Sequence, residues 1–357
     1  MKIVSIVGAR PQFIKAAPVS SALRKQHEEL LLHTGQHYDD NMSKVFFEEL
    51  GIPRPDINLE IGSDSHARQT AAIMIGVEKY LQQEKPDVVL VYGDTNSTLA
   101  GAIAASKLHI KIAHVEAGLR SFNRAMPEEI NRIVADKVAD ILFCPTNTAV
   151  KNLADEGITS GVFNIGDVMY DAALKFAPIA ERKSQIFDRL PIQPKNYFLL
   201  TLHRAENTDS FENLSNIVAA IIQSKNRIVF PAHPRIVKLL KQFQLYEKLD
   251  RADNIFLIEP VSFIDMIVLE KNAEKILTDS GGVQKEAFFY QVPCITLRNE
   301  TEWVETVADG WNCLVGADVE KILVAMNDFS PTGDQQGHYG DGKASEKLVE
   351  ILRQYFN

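Results

Sequence analysis

Ten short apolar runs, each leading towards an amphipathic stretch, constrain this chain more than any other feature. KIVSIV, ELLLHT, DVVLVYG, KIAHV and DILFCP form a first set; YFLLTL, RIVFPA, NIFLIEP, KILTDS and CITLR form a second. Most are continuously apolar and β-branched rather than alternating, as expected of strands covered by helices on both faces. Helical stretches between them include 95–107, 127–139 and 282–290. Repeated β-α alternation specifies an α/β protein with doubly wound parallel sheets. At 357 residues the chain is too long for one compact core. The pattern loosens at FAPIAERKSQIFDRLPIQPKN (176–196), with three prolines and many charges. Two α/β domains are therefore expected, 1–168 and 169–340. The last helical segment, within 341–357, has no strand after it and is expected to pack back on the first domain.

Charge excludes some functions. The net charge is -9, so bulk electrostatics repel nucleic acid and anionic membranes. An anionic ligand must then be held by local cations or helix ends. Cys144, Cys294 and Cys313 are odd in number, far apart and without CxxC spacing, which reads as core thiols in a reducing compartment and not as a zinc site. No apolar run approaches bilayer length, and MKIVSIVGAR is too short and interrupted for a signal peptide. A cytoplasmic protein is expected.

Ligands of such sheets sit beyond the carboxyl ends of the strands. In VGARPQFIK, Gly8 closes a strand, and Arg10 and Lys15 flank a helix start whose N–H groups favour an anion. Neither GxGxxG nor GxxxxGK[ST] is present, and on spacing alone the junction reads no less well as a plain strand-to-helix turn. In VLVYGDTNSTLAG, Asp94 suits a helix cap and an acid/base role equally.

The stretch AHVEAGLRSFNRAMPEEINR (113–132) crowds Glu116, Arg120, Arg124, Glu128, Glu129 and Arg132 beside a core strand. Pro127 suits a first helical turn. Ile130, Ile133, Val134 and Val138 are expected to form the buried stripe, with Glu128 and Arg132 on the other side as an i,i+4 ion pair. Glu116 follows KIAHV directly, where a free carboxylate would have a raised pKa.

In the second half, FLLTLHRAENT places His203, Arg204 and Glu206 at a strand end, and VFPAHPR does the same for His233. The strongest signal is ILTDSGGVQKEAF. Ser280, Gly281 and Gly282 leave a core strand and open a helix, where bare N–H groups and a hydroxyl can meet a phosphate. Glu286 lies one turn on from Gly282, placed to accept from ribose hydroxyls. The alternative is a tight turn with an N-cap serine, which leaves two consecutive glycines unexplained. The composite expectation is an inter-domain cleft, with a nucleoside-diphosphate wall in the second domain and Asp94, Glu116 and Glu128 in the first.

GARPQFIK, HTGQH, GDTNSTLAG, HVEAGLR, MPEEINR, LHRAEN and TDSGGVQKEA occur in this order. Together they resemble the non-hydrolysing UDP-N-acetylglucosamine 2-epimerase family over essentially the whole chain. The resemblance implies two Rossmann-like doubly wound domains facing a cleft in the GT-B arrangement. It also implies inversion at C2 of UDP-GlcNAc or a relative, without NAD, other cofactor or metal. The family's route eliminates UDP across C1–C2 to a glycal and re-adds it after protonation on the other face. By matching motif, Asp94, Glu116 and Glu128 are the acid/base group and His203 supports diphosphate departure. Arg10, Lys15, Arg204 and His233 are further candidates at the substrate, and Ser280, Gly281, Gly282 and Glu286 hold phosphates and ribose. Phe263 matches the family position bordering uracil. A homodimer serving bacterial surface polysaccharide (O-antigen) synthesis is expected.

The rival class is a GT-B glycosyltransferase moving a sugar from UDP to an acceptor; three first-domain carboxylates from three motifs favour the epimerase. HTGQHYDD, HRAENTD and TEWVE (301–305) look more like the branch acting on UDP-2,3-diacetamido-2,3-dideoxy-glucuronate. In bacterial UDP-GlcNAc members, an activator pocket carries arginines where this chain has Tyr38 and Ala205. The resemblance therefore implies that two guanidiniums of that pocket are missing.

Overall fold

A computed structural model describes residues 1–35, 51 and 54–356; Tyr38 lies outside the described residues. The chain divides into two compact units, Met1–Lys175 with Gly337–Asn357, and Phe176–Gln336.

Among the described residues, the first unit holds a seven-stranded parallel sheet in the order β3-β2-β1-β4-β5-β6-β7. Its strands are β1 (Lys2–Val7), β2 (Glu28–His33), β3 (Ile57–Asn58), β4 (Val88–Tyr92), β5 (Lys111–Val115), β6 (Ile141–Cys144) and β7 (Val162–Asn164). The second unit repeats the plan with six parallel strands, β10-β9-β8-β11-β12-β13. These are β8 (Phe198–Thr201), β9 (Ile228–Pro231), β10 (Ile255–Ile258), β11 (Lys275–Thr278), β12 (Cys294–Thr296) and β13 (Asn312–Leu314). All ten apolar runs carry strands.

Continuous burial accounts for the composition. Every residue of β4 is 0% exposed, because helices cover both faces and no position needs a polar side chain. Full burial of each such valine or leucine contributes about 1.5–3 kcal/mol. The three strands beyond the apolar runs (β3, β7 and β13) are two or three residues long and mostly half-buried. Among the described residues no helix is long and apolar enough to cross a membrane.

The loosened segment is largely helical. A helix spans Val168–Lys183 with Pro178 inside it, and a short one follows at Ile186–Arg189. The final helix, Ala344–Phe356, belongs to the first unit and packs on the helix Arg10–Leu23. Asp171 anchors it: one carboxylate oxygen accepts from Ala344 N at 3.1 Å and the other from Ser345 N at 2.7 Å.

The helix Pro127–Val138 corrects the apolar-stripe expectation. Its buried residues are Glu129, Asn131, Arg132, Ala135 and Asp136, while Ile130, Ile133, Val134 and Val138 are only half-buried. Arg132 does not lie on an outer face. It is 4% exposed and pairs with Glu129 at 3.1 Å and with Asp94. Charge pairing at the strand ends decides which face turns inward, and the apolar residues take the margin.

Candidate functional site

Strand order reverses between β1 and β4, and again between β8 and β11. Ligands of doubly wound sheets bind beyond the carboxyl ends at such points.

At the first reversal Gln12 ties two strand ends together. Its Oε1 accepts from Gly8 N at 2.8 Å and Ala9 N at 3.0 Å; its Nε2 donates to Tyr92 O at 2.8 Å and Thr98 Oγ1 at 3.0 Å. Arg10 opens the helix and is half-buried. Lys15 faces a carboxylate: its Nζ is 2.6 Å from Glu116 Oε1, and both side chains are at least nine-tenths buried. Glu116 is thus not the free carboxylate expected from its position. It also sits at φ +71°, in the left-handed region that a non-glycine residue rarely occupies. The neighbouring Gly93 is at φ +62°, and a Cβ there would lie 3.0 Å from Lys15 Nζ and 3.6 Å from Glu116 Oε1. The turn bearing Asp94 therefore runs directly beside the Lys15–Glu116 pair.

Asp94 does not cap the following helix, Asn96–Lys107. Thr95 does, its hydroxyl accepting from Thr98 N at 3.4 Å. The Asp94 carboxylate instead receives Arg132 Nη2, and Asn131 Nδ2 donates to Asp94 O at 2.9 Å. Both partners lie on the helix that begins Pro127-Glu128-Glu129. Glu128 and Glu129 have divided roles. Glu129 is 1% exposed and accepts from Ser121 N, Ser121 Oγ, Phe122 N and Arg132 Nη1 at 2.9–3.1 Å. Glu128 is half-buried at the first turn.

Behind these groups lies a buried cluster that the sequence reading passed over. His114 places Nδ1 2.7 Å from Asp136 Oδ1 and Nε2 2.7 Å from Gly93 O. Asp136 Oδ2 accepts from Arg120 Nη1 at 2.7 Å and Gly118 N at 3.2 Å, and Arg120 makes a bidentate pair with Glu156. Burial alone would push the Asp136 carboxyl up. The hydrogen bond and charge of His114, with the Arg120 guanidinium, outweigh it and hold the carboxyl below its usual value.

In the second unit Asp279 organises the other reversal. It is 0% exposed, and its carboxylate accepts from His203 N at 3.0 and 3.2 Å, Arg204 N at 3.1 Å and Asn207 Nδ2 at 3.3 Å. His203 is half-exposed with Nδ1 3.4 Å from Asp279 Oδ1, and Ala205 opens the short helix Ala205–Thr208. The signal for Asp279 was its place between a core strand and the glycine pair. Ser280 caps the helix Gly281–Phe289, so the capping alternative describes its hydroxyl correctly. The two glycines differ. A Cβ on buried Gly281 would run into Glu302 Oε1 and approach Trp303 Nε1 at 3.2 Å, whereas at exposed Gly282 the nearest atom is Ser280 Oγ at 3.8 Å. Gly281 is closely packed; Gly282 is not. Glu286 is half-buried on the same helix, whose Lys285 Nζ lies 3.9 Å from the centre of the Trp303 ring.

His233 and Phe263 lie on two other helices of the second unit. His233 is exposed and caps the helix Pro234–Gln242. Phe263 is 5% exposed and meets Phe176 edge-on at 5.8 Å.

Residues 21–353 match the family model described as UDP-N-acetylglucosamine 2-epimerase. A UDP-N-acetylglucosamine 2-epimerase homolog of Methanococcus maripaludis is 59% identical, with 99% of each chain covered. The UDP-2,3-diacetamido-2,3-dideoxy-D-glucuronate 2-epimerase of Pseudomonas aeruginosa is 49% identical over 99% of each chain. The crystal structure of Methanocaldococcus jannaschii UDP-GlcNAc 2-epimerase, solved with UDP-GlcNAc and UDP, superposes with a TM-score of 0.93 at 48% identity, covering 99% of this chain and 100% of that one. The fold class read from the motifs, two Rossmann-like units of the GT-B type, is that of these neighbours.

Proposed function

Since this chain belongs to the UDP-N-acetylglucosamine 2-epimerase family, we propose that it inverts C2 of the sugar in a UDP-N-acetylated hexosamine. It is an isomerase. The observation that carries the mechanism is the grouping in the first unit. Asp94, Glu116 and Glu128 come from three motifs, yet the Gly93–Asp94 turn abuts Glu116 and the helix of Glu128 holds Asp94 through Asn131 and Arg132.

A carboxylate of this group removes the C2 proton, the C–H electron pair becomes the C1=C2 bond, and the C1–O bond breaks with UDP carrying its electrons away. In return, a carboxyl protonates C2 on the opposite face and the UDP oxygen re-forms the bond to C1. Substrate and product are isomers, so atoms and electrons balance within the substrate and the proton carriers. Lys15 supplies the counter-charge to Glu116. His203 and Arg204, seated on Asp279, serve the departing diphosphate. The Ser280–Gly282 turn meets phosphate with backbone N–H groups, and Glu286 holds the ribose.

Gly282 tests the phosphate assignment. Gly282→Ala is expected to melt like the parent but to lose about tenfold in UDP affinity, because the added methyl holds a phosphate away from the backbone N–H groups and weakens about one charge-assisted hydrogen bond. Gly281→Ala is expected to lose about 1–3 kcal/mol of stability by overpacking. Calorimetry and UDP titration check both; unchanged UDP binding in Gly282→Ala removes the loop from the phosphate site.

The finer substrate reading is the 2,3-diacetamido uronate, supported by the HRAENTD and TEWVE segments and by the 49% identical relative that bears that name. We place the enzyme in the cytoplasm as a homodimer supplying surface-polysaccharide (O-antigen) synthesis. Three free cysteines, Cys144, Cys294 and Cys313, support a reducing compartment. One experiment tests the function: incubation in deuterated water with UDP-GlcNAc or with the uronate. Deuterium is expected at C2 of product and recovered substrate, with traces of UDP and glycal, faster with the uronate. Transfer of sugar to an acceptor without C2 exchange would overturn the epimerase in favour of a glycosyltransferase. Turnover of UDP-GlcNAc alone would overturn the uronate preference.

A further inference from the structure

We infer that Asp136 is a positioning residue for the acid/base group, one buried carboxylate that fixes the turns bearing Asp94 and Glu116 against the helix bearing Glu128. The inference rests on the epimerase reading above. Its basis is geometry. Asp136 lies on the helix Pro127–Val138, eight residues after Glu128, and is 1% exposed. Its Oδ2 accepts from Gly118 N, two residues after Glu116, and from Arg120 Nη1. Its Oδ1 takes His114 Nδ1, whose other nitrogen reaches Gly93 O, the carbonyl joined to Asp94.

His114 thus bridges the helix to the first turn: one ring nitrogen meets the Asp136 carboxylate and the other the Gly93 carbonyl, a group that can only accept. The arrangement opposes a local cost. Glu116 at φ +71° and Gly118 at φ +80° hold a turn that relaxes unless its surroundings fix it. Gly118 has no room to adjust, since a Cβ there would run into Ala149 O. Two bonds that pin this turn from the helix side end on Asp136, from Gly118 N and from Arg120 Nη1.

Asp136→Asn replaces one acceptor by an NH₂ that cannot take the second set of donors. The Gly93 and Glu116 turns then loosen while the nucleotide loop of the second unit keeps all its bonds. The expected result is a kcat lower on the order of tenfold or more, the scale of a small misplacement of catalytic groups, with KM changed less than roughly twofold. The decisive readout is the partition of the glycal, the ratio of free UDP and glycal released to C2 deuterium incorporated. This ratio does not depend on how much enzyme is folded, so a merely structural role leaves it unmoved; the positioning role raises it. Glu156→Gln, which slackens Arg120 from the half-exposed end, is read the same way and covers the case in which Asp136→Asn does not fold. An unchanged partition ratio in the folded variants overturns the inference. Absence of C2 exchange in the parent protein would instead overturn the epimerase reading itself.

Discussion

Glu116→Gln is expected to lower turnover at least ~10²-fold, the usual worth of a positioned general acid or base, and Asp94→Asn and Glu128→Gln by similar factors. The three differ in what else they disturb. Glu116→Gln deprives buried Lys15 of the carboxylate at 2.6 Å, and an ammonium left without its counter-charge costs about 3–5 kcal/mol. Adding Lys15→Met to that variant is expected to restore stability and leave activity lost. Asp94→Asn weakens the seat of Arg132, which retains Glu129. Glu128 is half-buried, so Glu128→Gln is expected to melt with the parent. Glu129→Gln is the contrast. It disturbs an acceptor of three donors from Ser121 and Phe122 and of Arg132, so it should cost stability before chemistry. Turnover beside calorimetric melting separates the cases. Full activity with earlier melting in Glu128→Gln would remove Glu128 from the acid/base group.

Asp279→Ala is expected to show a large loss of stability. Removing the carboxylate strips acceptors from His203 N, Arg204 N and Asn207 Nδ2. Each buried donor left unmade costs about 1–3 kcal/mol, so the sum is about 3 kcal/mol or more. UDP affinity should fall with it, because His203 and Arg204 lose the group that seats them. Urea unfolding with UDP titration checks this. A shift no larger than the ~0.5 kcal/mol of an ordinary surface substitution would show that the β8 junction holds itself.

The strands were legible because full two-sided burial leaves an unbroken apolar signature, as in DVVLVYG and KILTDS. β3, β7 and β13 were not, since two or three half-buried residues carry no such run. The helix Pro127–Val138 was placed correctly and turned wrongly. Hydrophobic periodicity assumes that the apolar face is the buried one, and here ion pairs to Asp94, His114 and Arg120 outbid four branched side chains. The roles of Asp279, Asp136 and Gln12 were not legible for a related reason: each binds a backbone group distant in sequence, at His203, Gly118 and Tyr92, and no local pattern names such a partner. Consecutive glycines likewise look equivalent in sequence, and only packing separates Gly281 from Gly282.

The first unit is closed by residues 337–357, which follow the whole of the second unit in sequence. Residues 176–336 must all be made after Lys175 and before Gly337, an interval on the order of 8–30 s at roughly 5–20 residues per second. During that interval the Asp171 carboxylate has no Ala344 or Ser345 to bind, and the helix that carries Lys15 lacks the helix packed against it. The second unit is one continuous segment and can finish first.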